Sequence, residues 1–146
     1  MSTVPKIPKL ESPRPKFVQN REGEPEFQLD LQPNKVTFVC PEDRKPVYCD
    51  VTLKNTTKGS QSFKVKCTSA EIFRVQPPLG FVKAGETQSI RIWFQNKTSP
   101  ANDRLHYFAF YHVKSDAKIG KEKEVWTKTT RPDGVRRLMA LFQEKK

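Results

Sequence analysis

From Phe27 onward the chain alternates between apolar and polar positions with a period of two. Val36, Phe38 and Cys40 recur at every second residue. Val47, Cys49, Val51 and Leu53 alternate with Tyr48, Asp50, Thr52 and Lys54; Phe63, Val65 and Cys67 with Lys64, Lys66 and Thr68; Ile90, Ile92 and Phe94 with Ser89, Arg91 and Trp93. One greasy face and one wet face is the signature of antiparallel strands, because successive side chains point to opposite sides of the pleat. Turn-forming clusters punctuate the runs: Asn55-Thr56-Thr57-Lys58-Gly59, Pro77-Pro78-Leu79-Gly80, Ala84-Gly85-Glu86, Ser99-Pro100-Ala101-Asn102-Asp103 and Pro132-Asp133-Gly134. Strands at this spacing, without long helical periods or internal repeats, predict an all-β sandwich of about seven strands.

Two stretches depart from the pattern. Residues 1–26 carry Pro5, Pro8, Pro13, Pro15 and Pro25 among scattered charges, with few apolar groups to bury. Proline removes ladder donors, so this segment reads as a flexible Pro-rich tail ahead of a domain spanning 27–146. The run Leu105–Val113 has aromatics on both faces: Tyr107 and Tyr111 on one, Phe108 and Phe110 with His106 and His112 on the other. Either the strand is buried on both sides, or one side is an exposed aromatic patch suited to contact.

Composition narrows the chemistry. The 146 residues make one ordinary domain, and the formal net charge is +11. A basic surface attracts nucleic acid, anionic membrane or acidic protein segments, and charge alone does not choose among them. Cys40, Cys49 and Cys67 are odd in number, form no CxxC and sit in apolar stretches, the reading being buried reduced thiols in a reducing compartment. Cys40 and Cys49 straddle a turn and have the option of approaching each other. No apolar run is long enough to span a membrane, and Met1–Lys6 lacks a signal-type apolar stretch, so a cytoplasmic location is expected. The sequons at Asn55 and Asn96 then read as polar turns. The two histidines lie six residues apart on one strand, roughly 20 Å, too far to share a metal there. Metal-ligand clusters, a phosphate loop and a GxSxG nucleophile turn are missing, so neither an enzyme nor a cofactor is expected.

In order along the chain, Leu31–Phe38, Leu53–Thr57, Phe63–Thr68, Phe73–Gly80 and Ala84–Glu86 resemble successive segments of the major sperm protein domain: an opening strand, a turn, a central basic strand and a Pro-Pro-x-Gly corner with its following turn. Each match is short; their order and spacing are specific. The resemblance implies an immunoglobulin-like seven-stranded β-sandwich, with prolines such as Pro33 and Pro77 able to be cis. It also implies one of two roles. Asn102-Asp103-Arg104 and Pro132–Arg137 are similar to the nematode sperm branch, whose members build motility filaments without binding nucleotide. The adaptor branch binds acidic peptides carrying two Phe, and Lys64, Lys66 and Thr68 match positions lining its groove. Where that branch has a Lys and a Met on a later strand, Tyr107 and Ala109 stand here, which removes a charge partner and a soft apolar wall.

The leading expectation is therefore a cytoplasmic, cytoskeleton-associated protein that binds major sperm protein filaments or assembles itself, homodimerisation included; the alternative is an adaptor for acidic two-Phe segments. Candidate contact residues are Lys64, Lys66, Thr68, Arg74 and Arg91, with Lys64, Lys66, Arg74 and Arg91 read as a basic strip, and the aromatics Trp93, Phe108, Phe110 and Trp126 as anchors. Core packing is the competing reading for the aromatics, and a solvated sheet face for the cations. Nucleic-acid binding is the weakest class, because the basic residues are spread along the chain without a recognisable motif.

Overall fold

A computed structural model of the chain describes residues 14–97, 105–115 and 121–145. Nine strands form among them: β1 (Asp30–Gln32), β2 (Val36–Cys40), β3 (Val47–Lys54), β4 (Gln61–Cys67), β5 (Phe73–Gln76), β6 (Leu79–Val82), β7 (Thr87–Phe94), β8 (Tyr107–Lys114) and β9 (Gly134–Glu144). A single four-residue helix, α1 (Glu122–Val125), precedes β9. The strands make a four-stranded sheet ordered β1-β3-β7-β5 and a five-stranded sheet ordered β2-β9-β8-β4-β6. All pairings are antiparallel except β2 with β9.

Seven runs in sequence become nine ladder segments for one reason. β1–β2 and β5–β6 are each a single run broken at a proline corner, Pro33 and Pro77-Pro78, where the chain leaves one sheet for the other. Proline cannot donate to a ladder, so pairing stops there. The peptide bonds Gln32–Pro33 and Gln76–Pro77 are both cis. The all-β sandwich expected from the alternation, immunoglobulin-like as the resemblance implies, is thus the architecture observed.

The inward faces meet in one core. Leu31, Val51, Leu53, Phe73, Ile90, Ile92 and Phe94 from the first sheet pack on Val36, Phe38, Phe63, Val65, Phe108, Phe110 and Leu138 from the second. Five phenylalanines form its centre: ring centroids are 5.8 Å apart for Phe38–Phe73, and 4.8 Å for both Phe73–Phe108 and Phe94–Phe142. Edge-on and offset rings at such spacings bury large areas without face-to-face repulsion. Cys40 is buried and Cys49 and Cys67 are half-buried; all three are free, and burial raises each thiol's pKa.

Both sequon asparagines are buried turn pins. Asn55 Nδ2 donates to the carbonyls of Gly59 and Val82, and its Oδ1 accepts from the Thr57 amide. Gly85, at φ +80°, takes the left-handed conformation that lets its amide reach the Asn55 carbonyl across the β6–β7 turn. Asn96 Nδ2 donates to the Lys45 carbonyl. The turn at 99–103 lies outside the described residues.

Of the stretch read as a flexible tail, residues 1–13 lie outside the described residues. Residues 14–26 lie against the outer side of the five-stranded sheet, with a 3-10 turn at Lys16–Val18 and an isolated parallel bridge between Glu26 and Val135. Tail composition missed this because only one of these side chains, Val18, is an apolar group buried in the body.

Candidate functional site

The alternation that buries one face of β3, β5 and β7 turns the other outward. Register sets the neighbours there: Tyr48 opposes Trp93, which opposes Arg74, and in the next outward row Asp50 opposes Arg91, which opposes Gln76. Trp93 and Tyr48 lie with ring centroids 5.0 Å apart. The Arg91 guanidinium sits 3.8 Å from the centre of the Tyr48 ring, a stacked cation–π contact. Its free edge is held by Asp50 through two hydrogen bonds, Nε to Oδ1 at 2.8 Å and Nη2 to Oδ2 at 3.0 Å. Hydrogen bonding from Arg91 holds the Asp50 carboxyl below its ordinary pKa. Trp93 Nε1 donates to Gln76 Oε1 at 3.1 Å. The result is a flat, solvent-facing patch whose rotamers are fixed before any partner arrives, and Tyr48 remains 49% exposed at its centre.

The other lysines build a different surface. Lys64 and Lys66 project from β4 on the outer face of the five-stranded sheet, beside Tyr111 of β8. The segment after α1 makes the opposite wall. Trp126 Nε1 donates to Ser62 Oγ at 2.9 Å, and Thr130 Oγ1 donates to the Val125 carbonyl at 2.7 Å, which folds Lys128 and Pro132 over the edge of an open groove of about 370 Å³. Burial, and then the charge on Lys66, lowers the pKa of Lys64. Its described lining holds three lysines and no carboxylate.

Three expectations are corrected by this geometry. Lys64 and Lys66 do not form one strip with Arg74 and Arg91, because β4 belongs to one sheet and β5 and β7 to the other, so the pairs face away from each other across the core. Phe108 and Phe110 are core residues, 0% and 1% exposed, because β8 runs between β4 and β9 and its even-numbered side chains point inward. Trp126 is half-buried and pinned to Ser62. Thr68 lies just past β4, where its Oγ1 accepts from the Tyr107 amide and pairs with His106 Nδ1, and it is not among the residues lining the lysine groove. Arg74, Arg91 and Trp93 do come together. Tyr48 and Asp50, which complete that patch, were legible only as polar-side residues of β3.

Both histidines are buried polar packing residues. Among the described residues no group of His, Cys, Asp and Glu could hold a metal, and no helix is long and apolar enough to cross a membrane.

The described residues form an immunoglobulin-like sandwich with two outward-facing sheets. A family model described as the MSP (Major sperm protein) domain matches residues 28–132, and the chain belongs to that family. It is 53% identical over 113 residues to the Caenorhabditis elegans protein R05D3.5, covering 77% of this chain and 62% of that relative, so it spans less than two thirds of the relative's length. Another Caenorhabditis elegans protein, ZC262.1, is 51% identical over 117 residues, 80% of this chain and 87% of its own. Among solved structures, SSP-19, an MSP-domain-like family member of the same nematode, superposes with a TM-score of 0.60 at 18% identity, over 76% of this chain and 97% of its own.

Proposed function

We propose that this domain is a non-enzymatic, protein-binding component of the nematode sperm major sperm protein cytoskeleton, cytoplasmic and accessory to the filaments. The observation that carries the reading is the preset Tyr48–Arg91–Trp93 patch: rigid aromatics and arginine on an exposed sheet face are the residue types that anchor protein interfaces. Family membership and two relatives from Caenorhabditis elegans support the setting. A net charge of +11 opposes close self-packing and favours an acidic partner, hence an accessory role over a filament subunit. Co-sedimentation with assembled major sperm protein tests it. The wild-type domain is expected in the pellet, and Trp93→Ala or Arg91→Glu is expected to weaken binding at least about fivefold, since central anchors each contribute more than about 1 kcal/mol. Undiminished binding by both folded variants contradicts the role of this patch, and reversible growth of the pure domain into long polymers contradicts the accessory role.

A second reading, an adaptor for acidic two-Phe segments, is favoured by the convergence of Lys64, Lys66 and Lys128 on an aromatic-walled groove whose described lining has no carboxylate. Titration with an acidic two-Phe peptide decides it. Micromolar binding that Lys66→Glu abolishes supports the adaptor; absence of binding at millimolar peptide removes it.

A further inference from the structure

One end of the five-stranded sheet's outer face is already occupied, and by the chain itself. Arg137 projects from β9 beside Tyr107 of β8, yet this cation is only 3% exposed. A guanidinium taken out of water needs an anion, and leaving it alone there is costly. The anion comes from Glu24, 113 positions away: Nη1 and Nη2 donate to the two carboxylate oxygens at 2.6 and 2.9 Å, fork to fork. This bond holds the Glu24 carboxyl below its ordinary pKa and raises that of Arg137. The remaining anchors of residues 14–27 are few. Val18 is 2% exposed and packs on β9. The Phe17 ring lies 6.3 Å from that of Tyr107, and Arg21 Nη2 reaches the Tyr107 hydroxyl at 3.4 Å. Glu26 makes a lone bridge to Val135, whose amide donates to the Pro25 carbonyl.

Between these points Pro15, Lys16, Gln19, Arg21, Glu22, Gly23 and Pro25 are exposed, and no strand ladder commits the segment to the sheet. It is held as a bound peptide is held: one apolar plug, a ring contact at Phe17, a bidentate carboxylate six residues after the plug, and at its junction with the body the Phe27 ring, edge-on to His112 with centroids 4.8 Å apart.

We infer that residues 14–27 are an internal ligand, a strap that closes the Tyr107–Arg137 face against competing segments of the same pattern, an apolar residue followed six positions later by a carboxylate. The strap acts through its tether. A linked occupant presents an effective concentration of about millimolar, so a free segment of micromolar affinity is held off by a factor of about 100 to 1,000. Few buried contacts also let it open without unfolding the body. The inference depends on neither reading above.

A labelled peptide of residues 14–27 is the probe, titrated against the full chain and against full-chain Val18→Asp, whose own strap lacks its plug. The folded variant is expected to bind the peptide at least about 100-fold more tightly than wild type, and a peptide carrying Glu24→Arg is expected to lose that gain. Equal affinities for the two chains overturn the inference. Should Val18→Asp fail to fold, hydrogen exchange on the wild-type chain decides. The amides of Val18, Glu24 and Val135 are expected to exchange at least about 100-fold faster than those of the β4–β8 ladder; equal protection makes the segment an integral part of the fold and ends the proposal.

Discussion

Acidification from pH 7 to pH 4 is expected to remove about 3 kcal/mol of stability through one residue, His112. Its ring is fully buried between the sheets. The Gln28 amide donates to Nε2 at 3.0 Å, so the proton resides on Nδ1, which donates to Gln61 Oε1 at 3.0 Å. Gln61 is itself oriented by its Nε2–Thr57 bond. A second proton would set Nε2–H against the Gln28 N–H in a fully buried site. Burial therefore lowers the pKa of His112 from 6.5 to about 4, against a small opposing pull from Asp133. The unfolded chain takes up this proton near pH 6.5 and the folded chain only near pH 4, so between those values the unfolded state binds more protons. The contribution is complete above pH 6.5, falls as pH falls, and is gone below about 4. Urea denaturation across pH 7 to 4 reads it. In His112→Gln, which cannot titrate, the loss over this window is expected to shrink to what carboxylates contribute. Glu24, whose pKa is lowered by hydrogen bonding to Arg137, keeps its own contribution above its ordinary 4.5 and loses it as the pH falls further, so its loss is concentrated at the acid end of the window. An unchanged slope in His112→Gln would falsify the assignment.

Gly134→Ala is expected to cost about 3 kcal/mol, the upper end for forcing one methyl into a packed interior. The backbone here is ordinary strand, so conformational freedom is not the issue. Gly134 opens β9 opposite His112, and an added Cβ would collide with His112 Nε2 and lie 2.9 Å from the Glu26 carbonyl oxygen. Neither neighbour can give way: the imidazole is held at both nitrogens, and the carbonyl belongs to the backbone beside the Pro25–Val135 hydrogen bond. A double-mutant cycle separates the two clashes. In a His112→Ala background the Gly134→Ala step is expected to fall below about 1.5 kcal/mol, because only the carbonyl contact remains. Additive costs would show that the ring is not what excludes the methyl.

Gly134 also marks the limit of reading the chain as a string. Within Pro132-Asp133-Gly134 it is an evident turn residue, and the turn exists: the Asp133 amide donates to the His112 carbonyl and Asp133 Oδ2 accepts from the Lys114 amide. What makes alanine intolerable there is an imidazole 22 positions earlier, and nothing local announces it.

Alternation at Val51, Leu53, Ile90 and Ile92 determined which side of each strand is greasy, since pleat geometry is local, and the punctuation at Pro33 and Pro77-Pro78 determined where ladders stop. The sandwich followed from these alone; the family resemblance needed the order and spacing of longer local motifs such as Phe63–Thr68 and Phe73–Gly80. Tertiary structure decided which outward faces share a surface. Arg91 meets Tyr48 and Asp50 because β3 and β7 pair in one register, and Lys64 is parted from Arg74 because β4 and β5 enter different sheets. Phe108 is core and Glu24 clamps Arg137 for the same reason. Pairing between strands depends on contacts tens of residues apart, whose energies are set by burial and complementarity that no window of sequence contains.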